Sequence, residues 1–178
     1  MTTDPQVISK MAAHFSPPNM RELVAETLRE SGVEMGSASI EEVAMFDQLH
    51  VGGLDANRRL AALAQIGADD LVLDAGCGAG GAARFLATTF GCEVRGIDMT
   101  PALLETGELL NEATGLGDKV SLQLGDVTAV PFEDETFDVA WLQHVTQSVP
   151  DTADMYAEMR RVLKPGGRLV VHDFFRGP

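Results

Sequence analysis

Residues 71–81, Leu-Val-Leu-Asp-Ala-Gly-Cys-Gly-Ala-Gly-Gly, constrain the fold more than any other stretch of this chain. A short β run leads into a carboxylate, Asp74. A turn with glycine at 76, 78, 80 and 81 follows, and a helical pattern begins there. A strand that ends in a glycine turn and opens a helix lets backbone approach a ligand closely. It also aims the helix N-terminus at that ligand. Gly76, Gly78 and Gly81 satisfy the dinucleotide pattern G-x-G-x-x-G as well. The turn therefore announces a nucleoside-type ligand and leaves open which one.

The surrounding periodicity sets the fold class. From Gly53 onward, helical and strand patterns alternate. Helices are expected over Leu54–Ile66, Gly80–Phe90, Pro101–Thr114 and Asp151–Lys164. Strands are expected over Leu71–Ala75, Glu93–Asp98, Val120–Gly125, Phe137–Gln143 and Arg168–Phe174. Such alternation implies β-α-β units, hence an α/β fold with a parallel sheet. Ligands in these sheets bind beyond the carboxyl ends of the strands, where the strand order reverses. Residues 1–52 differ in character and read as a helical cap or lid. Two short helices, Pro5–Phe15 and Asn19–Ser31, flank Ser-Pro-Pro, and Met20, Leu23, Val24, Thr27 and Leu28 form an apolar stripe. Ser39-Ile-Glu-Glu has the form of a capping box that opens a third helix. Residues 53–178 make the ligand-binding domain.

The residues just past each strand carry the chemistry. Asp74 stands two positions before Gly76, where it would repel a pyrophosphate, and Arg84 is the nearest basic residue in sequence. A cationic cofactor reverses that logic: S-adenosylmethionine carries a sulfonium and an α-ammonium group. Asp98 offers two coplanar oxygens to a ribose diol, a feature that dinucleotide sites share. Asp126 can accept from an exocyclic amine, and Val127 can offer its backbone N–H to a ring nitrogen.

Totals narrow the partners. The 178 residues carry a formal charge of −14 with 13 Lys and Arg, which argues against nucleic acid and acidic membranes. No apolar run reaches the roughly 18–20 residues of a membrane span. Two cysteines, Cys77 and Cys92, make no framework, and four histidines lack zinc-site spacing. The N-terminus has no secretory pattern, so a reduced, cytoplasmic setting is expected and no metal.

LVLDAGCGAGG, GIDMT, GDVTAVPFEDETFDVAW and RVLKPGGRL follow one another as do the motifs of the class I S-adenosylmethionine-dependent methyltransferases, which residues 60–174 resemble. Within that superfamily the chain is similar to the sarcosine/dimethylglycine N-methyltransferases and the ubiquinone/tocopherol-type C-methyltransferases. Asp47-Gln-Leu-His-Val-Gly-Gly, Gln143-His144-Val145 and His172-Asp173 carry that closer likeness. The resemblance implies a Rossmann-like sheet of order 3-2-1-4-5 and methyl transfer to a small molecule, with S-adenosylhomocysteine as product. It assigns Asp74, Gly76, Gly78 and Gly80 to the methionine part of the cofactor, Asp98 to the ribose, Met99 to the adenine face, and Asp126 and Val127 to the adenine edge. Gln48, His50 and Gly52 match the segment that folds over the cofactor. Gln143 and His144 match the strand end facing the methyl group.

His144 is the candidate base for a carbon or phenol acceptor; its alternative is a histidine that only hydrogen-bonds. Cys77 reads as packing under the turn, and Trp141, the Met155/Met159 pair and Phe85/Phe90 read as core. The family's seven-stranded fold continues past strand five with a helix and hairpin that the resemblance does not find here. Truncation, or pairing of a strand-five edge with a second copy, is expected from this. Two competing functions follow: a non-catalytic cofactor-binding subunit that needs a partner, and an NAD-dependent oxidoreductase that Asp74 disfavours.

Overall fold

A computed structural model describes residues 19–174. The expected helix at Pro5–Phe15 lies outside them. Three helices come first: α1 (Met20–Glu30), α2 (Ile40–Asp47) and α3 (Gly53–Ala64). There follow β1 (Leu71–Ala75), α4 (Gly81–Phe90), β2 (Glu93–Asp98), α5 (Pro101–Thr114), β3 (Val120–Leu124), β4 (Phe137–Gln143), α6 (Thr152–Val162) and β5 (Leu163–His172). The five strands form one sheet in the order β3-β2-β1-β4-β5, and every pairing is parallel. The order reverses between β1 and β4, so their carboxyl ends flank a crevice.

Neighbouring residues on each strand point to opposite faces, and here both faces are covered. Val72, Val94, Val139 and Trp141 pack against α3 and α4 on one side. Leu73, Ile97, Ala140 and Leu142 pack against Met155 and Met159 of α6 on the other. This is why the central strands β1 and β4 read as nearly continuous apolar runs, while β2 and the edge strand β3 keep polar positions. Trp141, Met155 and Met159 are fully buried, as expected for core, and the Phe85 and Phe90 rings meet edge to face.

The N-terminal helices dock on the same body. Val24 and Leu28 of α1 are buried with Leu109, Leu110 and Ala113 of α5. Leu23, expected in the same apolar stripe, is 54% exposed, because it sits beside that stripe on a helix covered from one direction only. The capping box of α2 forms: the Glu42 amide donates to Ser39 Oγ (3.3 Å), and the Ser39 amide donates to the Glu42 carboxylate (2.8 Å). The boundary between α6 and β5 departs from the expected one. Leu163 already pairs with Phe137, and the register then shifts before Val139 pairs with Arg168, with Pro-Gly-Gly in the interval.

Candidate functional site

A cavity of about 370 Å³ opens at the carboxyl ends of β1, β2 and β4. Of the residues singled out from sequence, Asp74, Gly76, Gly78, Asp98, Met99, Asp126, Val127, Gln143, His50 and His144 line it; Gly80 and Gln48 do not. Gly80 adopts a left-handed conformation (φ 80°) that starts α4, and its α-carbon faces Leu122 and Arg84. Gln48 acts one step back. Its Oε1 accepts from Asn57 Nδ2 (2.9 Å) and meets His50 Nε2 at 3.1 Å. A neutral imidazole has one N–H, and this shorter contact assigns it to Nε2.

Close approach explains two glycines. A β-carbon on Gly76 would lie 2.5 Å from a Val145 methyl just past β4, and one on Gly81 would lie 2.5 Å from the Asp47 carbonyl oxygen. The turn is thus clamped between the β4 end and the segment that leaves α2. The amides of Gly76 and Cys77 donate to the Ile97 carbonyl (2.8 and 2.9 Å), which ties the turn to β2.

Asp74 sits at the bottom of this turn, fully buried, and its Oδ2 has no hydrogen-bond partner among the described residues. Burial and the nearby Asp98 charge push its carboxyl up to about 7, against the opposing pull of the Ala83 amide and Arg84. A buried carboxylate oxygen without a partner is costly and marks a place for a cation. Arg84 does not serve it directly. Its guanidinium turns away from the cavity into a buried ion pair with Asp47 (2.9 Å) and bonds to the Ala79 and Gly107 carbonyls and to Asn111. Burial works against both charges, lifting the Asp47 carboxyl and lowering the Arg84 guanidinium.

Asp98 is oriented by backbone. Its Oδ2 accepts from the Gly78 amide (2.9 Å) and its Oδ1 from the Thr100 amide (2.8 Å), which leaves lone pairs on both oxygens. Asp126 is fixed in the same way: Oδ1 accepts from the Thr128 amide and hydroxyl (both 2.8 Å). The Val127 amide makes no hydrogen bond among the described residues. Cys77 is buried in the turn, and burial with the flanking Asp74 and Asp98 charges lifts its thiol well above the usual range. That environment suits packing and opposes nucleophilic chemistry.

The other side of the cavity holds a histidine cluster. His144 stands in the left-handed region (φ 56°), with its amide donating to the His172 carbonyl (2.8 Å). Its ring meets His172 and Phe174 edge to face at 5.0 and 4.7 Å, and His50 lies at 6.3 Å in a nearly parallel plane. His144 Nε2 is buried without a partner among the described residues. Burial and the neighbouring His172 lower the His144 pKa, against Asp173, so the ring stays neutral below the ordinary value of 6.5. Sequence reasoning assigned no part in the site to His172, Asp173 or Asp47. Gln143 links Trp141 Nε1 (2.9 Å) to His172 Nδ1 (3.4 Å), and Asp173 accepts from the Thr146 amide and hydroxyl (2.8 and 2.7 Å). These bonds lock the ends of β4 and β5 together beneath His144. His172 is the last residue of β5, and His172-Asp173 enters the sequence reading only as part of the family likeness.

The residues suit a nucleoside with a cationic tail: an unpartnered buried acid, two backbone-oriented acids, a free amide, and no Lys or Arg among the described lining residues. Among the described residues no group of three His, Cys, Asp or Glu side chains is placed to hold a metal ion, and no helix is long and apolar enough to cross a membrane.

Comparison with known proteins agrees with that chemistry. Residues 73–171 match the family model described as a methyltransferase domain. The chain is 40% identical over 100 residues to a protein named as a probable tocopherol O-methyltransferase of Oryza sativa subsp. japonica, covering 56% of this chain and 28% of that one. It is 41% identical over 115 residues to the sterol 24-C-methyltransferase of Eremothecium gossypii, covering 65% and 31%. The match spans less than a third of either relative's own length. Among solved structures, a geranyl diphosphate methyltransferase in complex with its diphosphate and sinefungin superposes with a TM-score of 0.70 at 23% identity, covering 93% of this chain and 65% of that one. With its sheet order, glycine turn and acids at the strand ends, the chain belongs to the methyltransferase domain family.

Proposed function

We propose that this chain binds S-adenosylmethionine in the cavity and directs in-line methyl transfer to a small molecule, leaving S-adenosylhomocysteine. The buried, unpartnered Asp74 carboxylate carries this reading. S-adenosylmethionine, when bound, supplies a methyl group already activated on a positively charged sulfur. The chain's residues supply charge, alignment and a proton acceptor. Asp74 would hold the cationic amino-acid portion above the turn of Gly76, Gly78 and Gly80. Asp98 would accept from the ribose hydroxyls through its remaining lone pairs, with Met99 against the base. Asp126 Oδ2 and the Val127 amide would take the adenine edge. Gln48 would hold His50 over this end, and Gln143 would hold the β4 end against β5.

His144 is the proton acceptor in this reading. Its neutral ring and unpartnered Nε2 support that role for a phenol or carbon acceptor. The relatives' names, which speak of tocopherol and sterol, support a small organic substrate. Labelled-methyl transfer to a panel of amines, phenols and quinols tests both points. Transfer to phenols should fall about a hundredfold in His144→Ala. Undiminished transfer would remove His144 from the chemistry, and bound cofactor without any transfer would remove the enzyme reading. We further assign the protein to the cytoplasm, without nucleic-acid partners, and assign the open edge of β5 to pairing with a second copy.

A further inference from the structure

The chain leaves β5 as His172-Asp173-Phe174, and the residues on both sides of Asp173 meet His144. The His172 carbonyl accepts from the His144 amide (2.8 Å), and the His172 and Phe174 rings stand edge to face with the His144 ring at 5.0 and 4.7 Å. Asp173 is thereby held next to that ring. Both of its oxygens are tied down. Oδ2 accepts from the Thr146 amide (2.8 Å) and hydroxyl (2.7 Å), and Oδ1 accepts from the Phe174 amide (2.8 Å). These three donors are neutral, so they orient the charge and do not cancel it. Burial raises the Asp173 carboxyl, but the bonds from Thr146 and Phe174 outweigh that and hold it below the usual carboxylate range. Among the described residues, the titratable groups around the His144 ring are His172, Asp173 and, from the segment past α2, His50. Burial and His172 weaken the ring as a base, and Asp173 acts the other way.

Resting on the reading of His144 as proton acceptor, we propose that Asp173 is a positioning residue for the reaction, whose fixed carboxylate stabilises the imidazolium that His144 becomes. In the step concerned the acceptor's O–H bond breaks, the oxygen keeps the electron pair, and the proton forms an N–H bond on the ring. The ring gains one positive charge as this happens. A carboxylate already fixed beside it needs no reorganisation at that moment. The two strand ends then have one purpose: β4 presents the base, and β5 supplies the charge that strengthens it.

The test compares Asp173→Asn, which removes the charge, with Thr146→Val, which removes one hydrogen bond to Asp173 and keeps the charge. Nuclear magnetic resonance titration of the His144 ring, assigned by its loss in His144→Ala, reads the proton affinity of that ring in the ligand-free chain. Asp173→Asn should lower the affinity about fivefold or more, and Thr146→Val should leave it within about twofold. Asp173→Ser, also uncharged, takes the place of the Asn variant if that variant does not fold. An unchanged affinity in Asp173→Asn, or an equal fall in both variants, overturns the inference, because a merely structural role moves both alike. In labelled-methyl transfer to phenols, Asp173→Asn should move the acid limb of the pH–rate profile to lower pH and lower kcat at pH 8 about twofold with KM unchanged. A lower kcat with the limb unmoved overturns the inference while the proton-acceptor reading stands. Undiminished transfer in His144→Ala overturns that reading, and the inference with it.

Discussion

At the scale of single residues, the proposed function rests on Asp74. Its carboxyl is raised to about 7 by burial, far above its unfolded value near 3.9. The folded state therefore holds a proton that the unfolded state releases between about pH 4 and 7. Through this group, stability of the ligand-free chain falls as pH rises across that window. Asp74→Asn removes the penalty. It should stabilise the ligand-free chain at pH 8 by up to about 4 kcal/mol and flatten the pH dependence of the thermal midpoint. A lower midpoint for the Asn variant at pH 8 would contradict this. His144 titrates with the opposite consequence. Its lowered pKa keeps the base form available down through pH 6.5, so phenol methylation should hold from pH 8 to about 6.5 and fall only below that. A pH–rate profile with its acid limb well above 6.5 would exclude the ring.

At the scale of elements, sequence and structure agree where local chemistry decides. β1, β2, α5 and β4 have the bounds that periodicity and the Pro101 start imply. They part where two distant segments meet. Arg84 sits in the apolar run Gly-Ala-Ala-Arg-Phe-Leu-Ala and stands out in sequence only as the basic residue nearest Asp74; its burial and its partner Asp47, on a different helix, emerge from the fold. The β5 start was hidden because Pro-Gly-Gly reads as a turn, while the fold folds it into a register shift against β4. The ion pair ties α2, and with it the segment carrying Gln48 and His50, onto α4. Arg84→Leu leaves a buried carboxylate unpaired and should cost about 3–5 kcal/mol in urea unfolding. The paired change Asp47→Asn with Arg84→Gln should lose distinctly less. Equal losses in both variants would mean that the ion pair does not hold these helices together.

At the scale of the whole molecule, the parallel sheet brings acids from the ends of β1 and β2, and from just past β3, to one crevice, and faces them with histidines from three further segments. Most acids that line the cavity follow from inspecting the residues at each strand end. Leu49, Val51 and Phe174, which line it too, do not, because they are ordinary hydrophobic residues whose exposure only the fold reveals. The outer edge of β5 carries Leu169 in partial exposure. If that edge pairs two copies, light scattering should give a concentration-dependent dimer that Leu169→Lys dissociates. A monomer at every concentration would contradict the pairing.

The central claim is that the buried Asp74 carboxylate receives the cationic amino-acid portion of S-adenosylmethionine. Calorimetric affinities of S-adenosylmethionine and of methylthioadenosine, which lacks that portion, measured on the unaltered chain and on Asp74→Asn, test it directly. The unaltered chain should prefer S-adenosylmethionine by at least about tenfold, a difference of 1.4 kcal/mol or more, and the Asn variant should lose that preference while keeping its affinity for methylthioadenosine. An Asn variant that binds S-adenosylmethionine as tightly as the unaltered chain would contradict the claim.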